Sequence, residues 1–277
     1  MLQTKLKEKM ITVLFWLSAL IIVGILIAVI GYIFVKGLAH VNLDFILEAP
    51  KRAGKEGGIS TTIIGTLYLT AVSLFIAVPL GVATAIYLEE YARQKSRFAF
   101  IVNLTAETLA GIPSIIYGLF GFVFFVIFMN MGWSIISGGL TLAIMILPTI
   151  TRTSQEAILS VPGEYRENSL ALGASKWQTI SKIIIPAAVP GILTGVILSI
   201  GRAIGETAAI ILTAGSSLGM PLSLADPART MSVHLYILAM EGLSMERAFG
   251  TAVLIVVLVI IINYLANLSL RRLSHSR

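Results

Sequence analysis

Cysteine is absent from the 277 residues, and histidine occurs only three times. Disulfides and thiolate metal sites are therefore excluded. No His-Glu-x-x-His run offers an imidazole pair to a metal, so none is expected. Charge is scarce as well, with Asp, Glu, Lys and Arg together making up 12% of the chain. Soluble domains carry about a quarter of their residues charged, so a water-exposed globule does not fit. No G-x-x-x-x-G-K-[ST] run is present to cradle nucleotide phosphates. No paired aspartates or Ser/His arrangement points to intramembrane hydrolysis, so neither an enzyme nor a bound cofactor is expected.

What remains is apolar: 57% of residues are hydrophobic and the mean hydropathy is +0.93. Apolar stretches near 11–35, 61–88, 113–130, 139–158, 187–213 and 248–270 approach or exceed the length of about 20 residues that crosses a hydrocarbon core. Their periodicity is helical or continuous, without the alternation of a membrane barrel. The expected class is all-α, a polytopic membrane protein whose six transmembrane helices form a single domain over 1–277. The first run, Ile11 to Val35, follows Lys5, Lys7 and Lys9. It exceeds the apolar region of about 7–15 residues in a secretory signal, so it reads as a retained helix.

Basic residues orient the chain. With the N-terminus inside, the inner segments hold Lys5, Lys7, Lys9, Arg93, Lys95, Arg97, Arg152, Arg166, Lys176, Lys182, Arg271, Arg272 and Arg277. The outer segments hold fewer: Lys36, Lys51, Arg52, Lys55, Arg229 and Arg247. Both termini are expected in the cytoplasm. The net charge of +6 then reflects topology rather than nucleic acid.

Between the spans, Gly57-Gly58 closes an outer loop, and Pro79 with Gly81 marks a kink in the second helix. Tyr87 and Tyr91, flanking Glu89 and Glu90, mark its inner end. Residues 98–111 carry Asn103, Thr105 and Glu107, which suits a helix along the inner surface ended by Gly111-Ile112-Pro113. Met231, Leu235 and Leu238 share a face, so a short helix near the outer surface is expected. Glu107 and His234 read as structural or interfacial. Asn263 and Asn267 read as helix–helix hydrogen-bonding groups.

The fifth apolar stretch contains Arg202 and Glu206, in Gly201-Arg202-Ala203-Ile204-Gly205-Glu206-Thr207. A mid-membrane arginine costs about 2.5–3.5 kcal/mol on insertion scales. A spacing of four puts both charges on one helical face, about 40° apart. Two readings stand: an anion site in which Glu206 restrains the field of Arg202, or an internal salt bridge that locks helices together. Arg152 and Glu156, also four apart, sit at the inner boundary and can line an exit or anchor the following loop.

That loop reads Pro162-Gly163-Glu164-Tyr165-Arg166-Glu167-Asn168-Ser169-Leu170-Ala171-Leu172-Gly173-Ala174-Ser175-Lys176-Trp177. Gly173 suits the position just past one helix and Ser175 the start of the next. Tyr165 and Leu172 share a face and leave apolar groups rimmed by charge. Such a face serves either protein docking or burial in the headgroup layer with Trp177 as anchor.

Glu167, Gly173 and Ile183-Ile184-Ile185-Pro186 are in register with the EAA signature, so the chain resembles the permeases of ABC importers. Asn168 and Ser169 replace the usual two alanines. Ala85-Ile86-Tyr87-Leu88-Glu89-Glu90-Tyr91, Gly111-Ile112-Pro113-Ser114-Ile115-Ile116-Tyr117-Gly118 and Gly201 through Ala208 narrow the resemblance to the PstA family of phosphate-importer permeases. Gly57-Gly58-Ile59 and Gly65-Thr66-Leu67 are closer to PstA than to its sister PstC. The likeness spans 10–270.

That resemblance implies a MetI-like arrangement in a bacterial or archaeal cell (inner) membrane. A PstC-like permease would complete a heterodimer, a PstB-like ATPase dimer would bind below, and a phosphate-binding protein would deliver inorganic phosphate from outside. Residues 163–175 would form the coupling helix, with Glu164, Tyr165, Glu167, Leu172 and Gly173 at the ATPase. Arg202, Glu206, Arg152 and Glu156 would line the substrate pathway. Two other readings share the composition: a permease of this superfamily for sulfate or molybdate, and a self-contained anion channel or carrier.

Overall fold

A computed structural model describes residues 2–92 and 96–275, with side chains over 8–92 and 96–268. Arg93, Lys95 and Arg277, and the side chains of Lys5, Lys7, Arg271 and Arg272, named above for topology, lie outside the described residues.

The architecture follows the expected all-α class. Helix α1 (Leu2–Gly37) is exposed along its described apolar length. It meets the rest where Gly37 approaches the Phe249 backbone and Tyr32 packs edge-on against Phe249. A short α2 (Leu43–Leu47) starts where the Asn42 side chain accepts from the Phe45 amide at 2.7 Å. A small hairpin, β1 (Pro50–Lys51) with β2 (Glu56–Gly57), pairs Pro50 with Gly57 and turns through Gly54 at φ +97°.

Helix α3 (Ser60–Ile86) runs on into a widened π turn, Tyr87–Tyr91. Helix α4 (Arg97–Ala110) then meets α5 (Ser114–Gly121, extended by a π segment to Phe128) at 105°. Gly111-Ile112-Pro113 makes that corner, as its composition suggested. The Tyr117 hydroxyl braces it by donating to the Leu109 carbonyl at 2.7 Å.

Helix α6 (Ile135–Leu159) is the central rod and packs most extensively on α3. Small residues let the two approach: a Cβ on Gly138 would lie 2.7 Å from Leu69, and one on Gly81 2.8 Å from Ile150. The main core, including Leu69, Leu142, Ile146, Ile150, Ala203 and Ile210, surrounds this crossing. A second cluster, Ala85, Ile158, Ile184 and Ala188 among it, lies toward the end of the bundle that carries the next loop.

The loop folds as anticipated. Helix α7 (Gly163–Ala171) stops before Gly173, whose φ of +84° suits glycine. Helix α8 (Lys176–Thr179) opens with a reciprocal capping box, Ser175 with Gln178. It continues through a π segment (Ile180–Ile184) into α9 (Ile185–Gly205), then α10 (Ala208–Thr213), α11 (Met231–Met240) and α12 (Met245–His275).

Among the described residues, five helices are long and apolar enough to cross a membrane, and the bent α4–α5 pair makes up to six. One expectation needs correction. The fifth stretch is not one helix over 187–213, because the chain breaks between Gly205 and Ala208. The short helix expected after it is α11, and it packs inward, with Met231, Val233, His234 and Leu238 buried. It runs alongside α12 and touches α3, with the Met231 amide donating to Thr66 Oγ1 at 2.9 Å.

Candidate functional site

The break after α9 decides the geometry of the charged pair. Glu206 adopts an extended conformation at ψ 134° instead of continuing the helix. Its Oε1 accepts from the amides of Thr207 and Ala209, each at 3.1 Å. Its carbonyl accepts from Ser232 Oγ at 2.5 Å. Glu206 thus caps α10 and holds the start of α11 against the break. Carboxylates are strong acceptors for such orphan amides.

Arg202 and Glu206 therefore do not share a helical face. No ion pair joins them among the described residues, which corrects the reading of an internal salt bridge. Arg202 is partly buried on the last turn of α9. Apart from their own helix, no atom of the described residues lies within 4 Å of a Cβ placed on Gly201 or Gly205. The α9 face bearing them is open to a neighbour from outside the chain.

Arg152 and Glu156 lie on α6, exposed, with no ion pair between them among the described residues. Gly195, opposite Thr153, and Gly191, opposite Ala157, place α6 and α9 in close antiparallel contact. Arg152 accordingly sits nearer the α7 end than Arg202 does.

At that end the loop presents its apolar groups outward. Leu172 is 89% exposed, and Tyr165, Leu170 and Trp177 are exposed as well. Glu164 and Glu167 are exposed beside them. The loop is nevertheless anchored. Ser169 Oγ and Thr179 Oγ1 bond at 2.8 Å. Arg166 meets Glu90 at 2.8 Å and donates to the carbonyls of Val161 and Ile158, each at 3.0 Å.

Gln155 donates to Glu89 at 2.8 Å and to Asn103 at 3.0 Å, joining α6 to α3 and α4. Sequence reasoning missed these partners. Only the position of Glu89-Glu90 between two tyrosines hinted at a charged junction.

Glu107 is exposed on α4. Asn267 bonds the Asn263 carbonyl of its own helix at 2.9 Å. His234 is fully buried, and its Nδ1 lies 3.5 Å from Arg229 Nη1. Because arginine only donates, Nδ1 accepts and Nε2 carries the hydrogen. Burial, then the charges of Arg229 and Arg247, lower its pKa to about 4. It stays neutral at pH 7, as a structural histidine.

Among the described residues, five to six apolar helices of spanning length make this a polytopic membrane protein. Residues 77–276 match the family model for the binding-protein-dependent transport system inner membrane component, and the chain belongs to that family. It is 34% identical to the probable ABC transporter permease protein YqgI of Bacillus subtilis, over 95% of each chain. It is 32% identical to the phosphate transport system permease protein PstA of Haemophilus influenzae, over 95% of this chain and 94% of that one.

Among solved structures, the fold is similar to a bacterial alginate ABC transporter at TM-score 0.65 and 17% identity, over 96% and 94% of the two chains. It is also similar to the MetNI methionine ABC transporter at 0.63 and 19%, over 78% and 94%. The MetI-like fold expected from the EAA loop is the fold found.

Proposed function

We propose that this chain is the PstA-type permease subunit of an ATP-driven importer of inorganic phosphate. The whole chain acts as one permease domain and supplies half of the translocation pathway. A PstC-like permease completes the path against the open face of α9, and a phosphate-binding protein delivers substrate from outside. Helix α7 seats in one subunit of a PstB-like ATPase dimer. Both termini lie in the cytoplasm.

The single observation that carries the substrate reading is Arg202, a guanidinium within an apolar helix whose nearest sequence carboxylate is committed to backbone amides. With no ion pair to it among the described residues, this cation favours an oxyanion, and its planar fork matches phosphate oxygens. Glu206, held just beyond, keeps the local field moderate, so that phosphate enters and also leaves. Arg152 and Glu156 continue the path toward the α7 end. The phosphate permeases among the relatives support the same substrate.

The test is phosphate uptake by the reconstituted complex with sulfate as competitor. A charge-assisted hydrogen bond is worth about 1.5–3 kcal/mol. Arg202→Ala should therefore lower uptake about 10- to 100-fold while the complex still assembles. Arg202→Lys keeps the charge without the fork and should fall between. Full uptake by Arg202→Ala sinks the assignment, and sulfate competing as well as phosphate moves the substrate to another oxyanion.

A further inference from the structure

The π turn Tyr87–Tyr91 at the end of α3 is the meeting point of four other elements. Tyr87 packs edge-on against Phe98 of α4, with centroids 6.1 Å apart. Glu89 accepts from Gln155 of α6 at 2.8 Å. Glu90 receives Arg166 of α7 through Nε at 2.9 Å and Nη2 at 2.8 Å. The Tyr91 ring lies under the Lys176 ammonium of α8, 4.9 Å from its centroid.

The π geometry, closed by the Ala92 amide on the Tyr87 carbonyl at 2.8 Å, widens this turn. Such turns recur at functional sites. Arg166 also donates to the carbonyls of Ile158 and Val161, so one guanidinium joins α3, the end of α6 and α7. The Glu90 side chain is 9% exposed and that of Arg166 26%. The pair is held largely out of water, where screening is weak.

We propose that this π turn is the receiver through which movement of α7 reaches the membrane helices, with Arg166 and Glu90 as the transmitting pair. The proposal rests on the reading of α7 as the seat of an ATPase. Two of the ties that hold helix α7 among the described residues lead into the membrane helices. Ser169 with Thr179 leads along the continuous α8–α9 rod toward Arg202. Arg166 with Glu90 leads into α3, the principal partner of α6. A push on α7 is thereby delivered to both sides of the α6 core together. Arg166 is a positioning residue and does not touch the substrate.

The experiment uses the complete complex in proteoliposomes and reads phosphate transported per ATP hydrolysed. Arg166→Gln and Glu90→Gln are each expected to keep the ATPase bound and hydrolysing while the ratio falls about tenfold. The double variant should be no worse than either single, because the two side chains act as one unit.

An unchanged ratio overturns the proposal, and so does additive loss in the double variant. Dissociation of the ATPase from the single variants overturns it too, assigning the pair to docking instead. Should the glutamine variants fail to fold into the membrane at all, Arg166→Lys carries the test. Loss of the fork is expected to lower the ratio about two- to fivefold, and an unaltered ratio refutes transmission. A wild-type chain that moves phosphate without any ATPase defeats the reading of α7 itself, before the pair is put to the test.

Discussion

Glu206 separates two energetic pictures of the charged segment, and a double-mutant cycle distinguishes them. If the carboxylate caps α10, Glu206→Ala leaves the amides of Thr207 and Ala209 without their acceptor at 3.1 Å. Loss of an N-cap costs about 0.5–2 kcal/mol. Glu206→Gln retains an amide oxygen for both donors but gives up charge assistance, so it should cost roughly half as much. If the carboxylate instead neutralised Arg202, either substitution would strand a partner charge at about 3–5 kcal/mol.

The assay is unfolding of the purified protein in detergent for wild type, Glu206→Ala, Arg202→Ala and the double variant. Capping predicts that the two effects add, with an interaction energy below about 0.5 kcal/mol. Glu206→Gln should lower the midpoint by no more than about 2–4 °C, the shift that about 1 kcal/mol produces in a large domain. An interaction energy above about 1 kcal/mol would restore the salt bridge and refute the helix break as described.

Two further outcomes are expected. His234 has a folded pKa of about 4 against 6.5 unfolded, so below pH 6.5 the unfolded chain binds the extra proton. Its contribution of roughly 3 kcal/mol is full above pH 6.5 and is lost as pH falls toward 4; His234→Asn should flatten that part of the stability profile, and an unchanged slope would count against it. Leu172 is 89% exposed, so Leu172→Asp should leave stability within about 0.5 kcal/mol of wild type. Removing an anchor from a docking face costs about 2 kcal/mol or more, so co-purified ATPase should drop sharply, and full retention would favour the headgroup-layer role.

Local signals in the chain foretold much of the fold, and their failures have physical causes. Gly173 and Ser175 marked the ends of α7 and α8 because positive φ and side-chain capping are properties of single residues. Gly111-Ile112-Pro113 marked the α4–α5 corner for the same kind of reason. The break at Glu206 carried no such mark. Its stretch is apolar, and the residue that secures it, Ser232, is 26 positions away.

Placing Arg202 and Glu206 on one face assumed a helix whose continuity is decided by tertiary contact. Helix α11 was legible as a short helix from Met231, Leu235 and Leu238, but its burial was not: Val233 and Ile237 are apolar and buried too, and a helix apolar on several faces belongs inside. The Arg166–Glu90 pair spans 76 positions, so no window of sequence contains both residues.

The rod that begins at Lys176 has unequal stiffness along its length. Pro186 and Pro190 both fall near the start of α9, where each removes an amide donor from the helical ladder. Beyond Pro190 the helix runs without another proline to Arg202, twelve residues or about 18 Å away at 1.5 Å per residue. A tilt of about 10° at the proline turn would sweep the guanidinium through about 3 Å, close to one hydrogen-bond length. Modest leverage at the loop end is therefore enough to carry a cation into or out of contact with a passing anion.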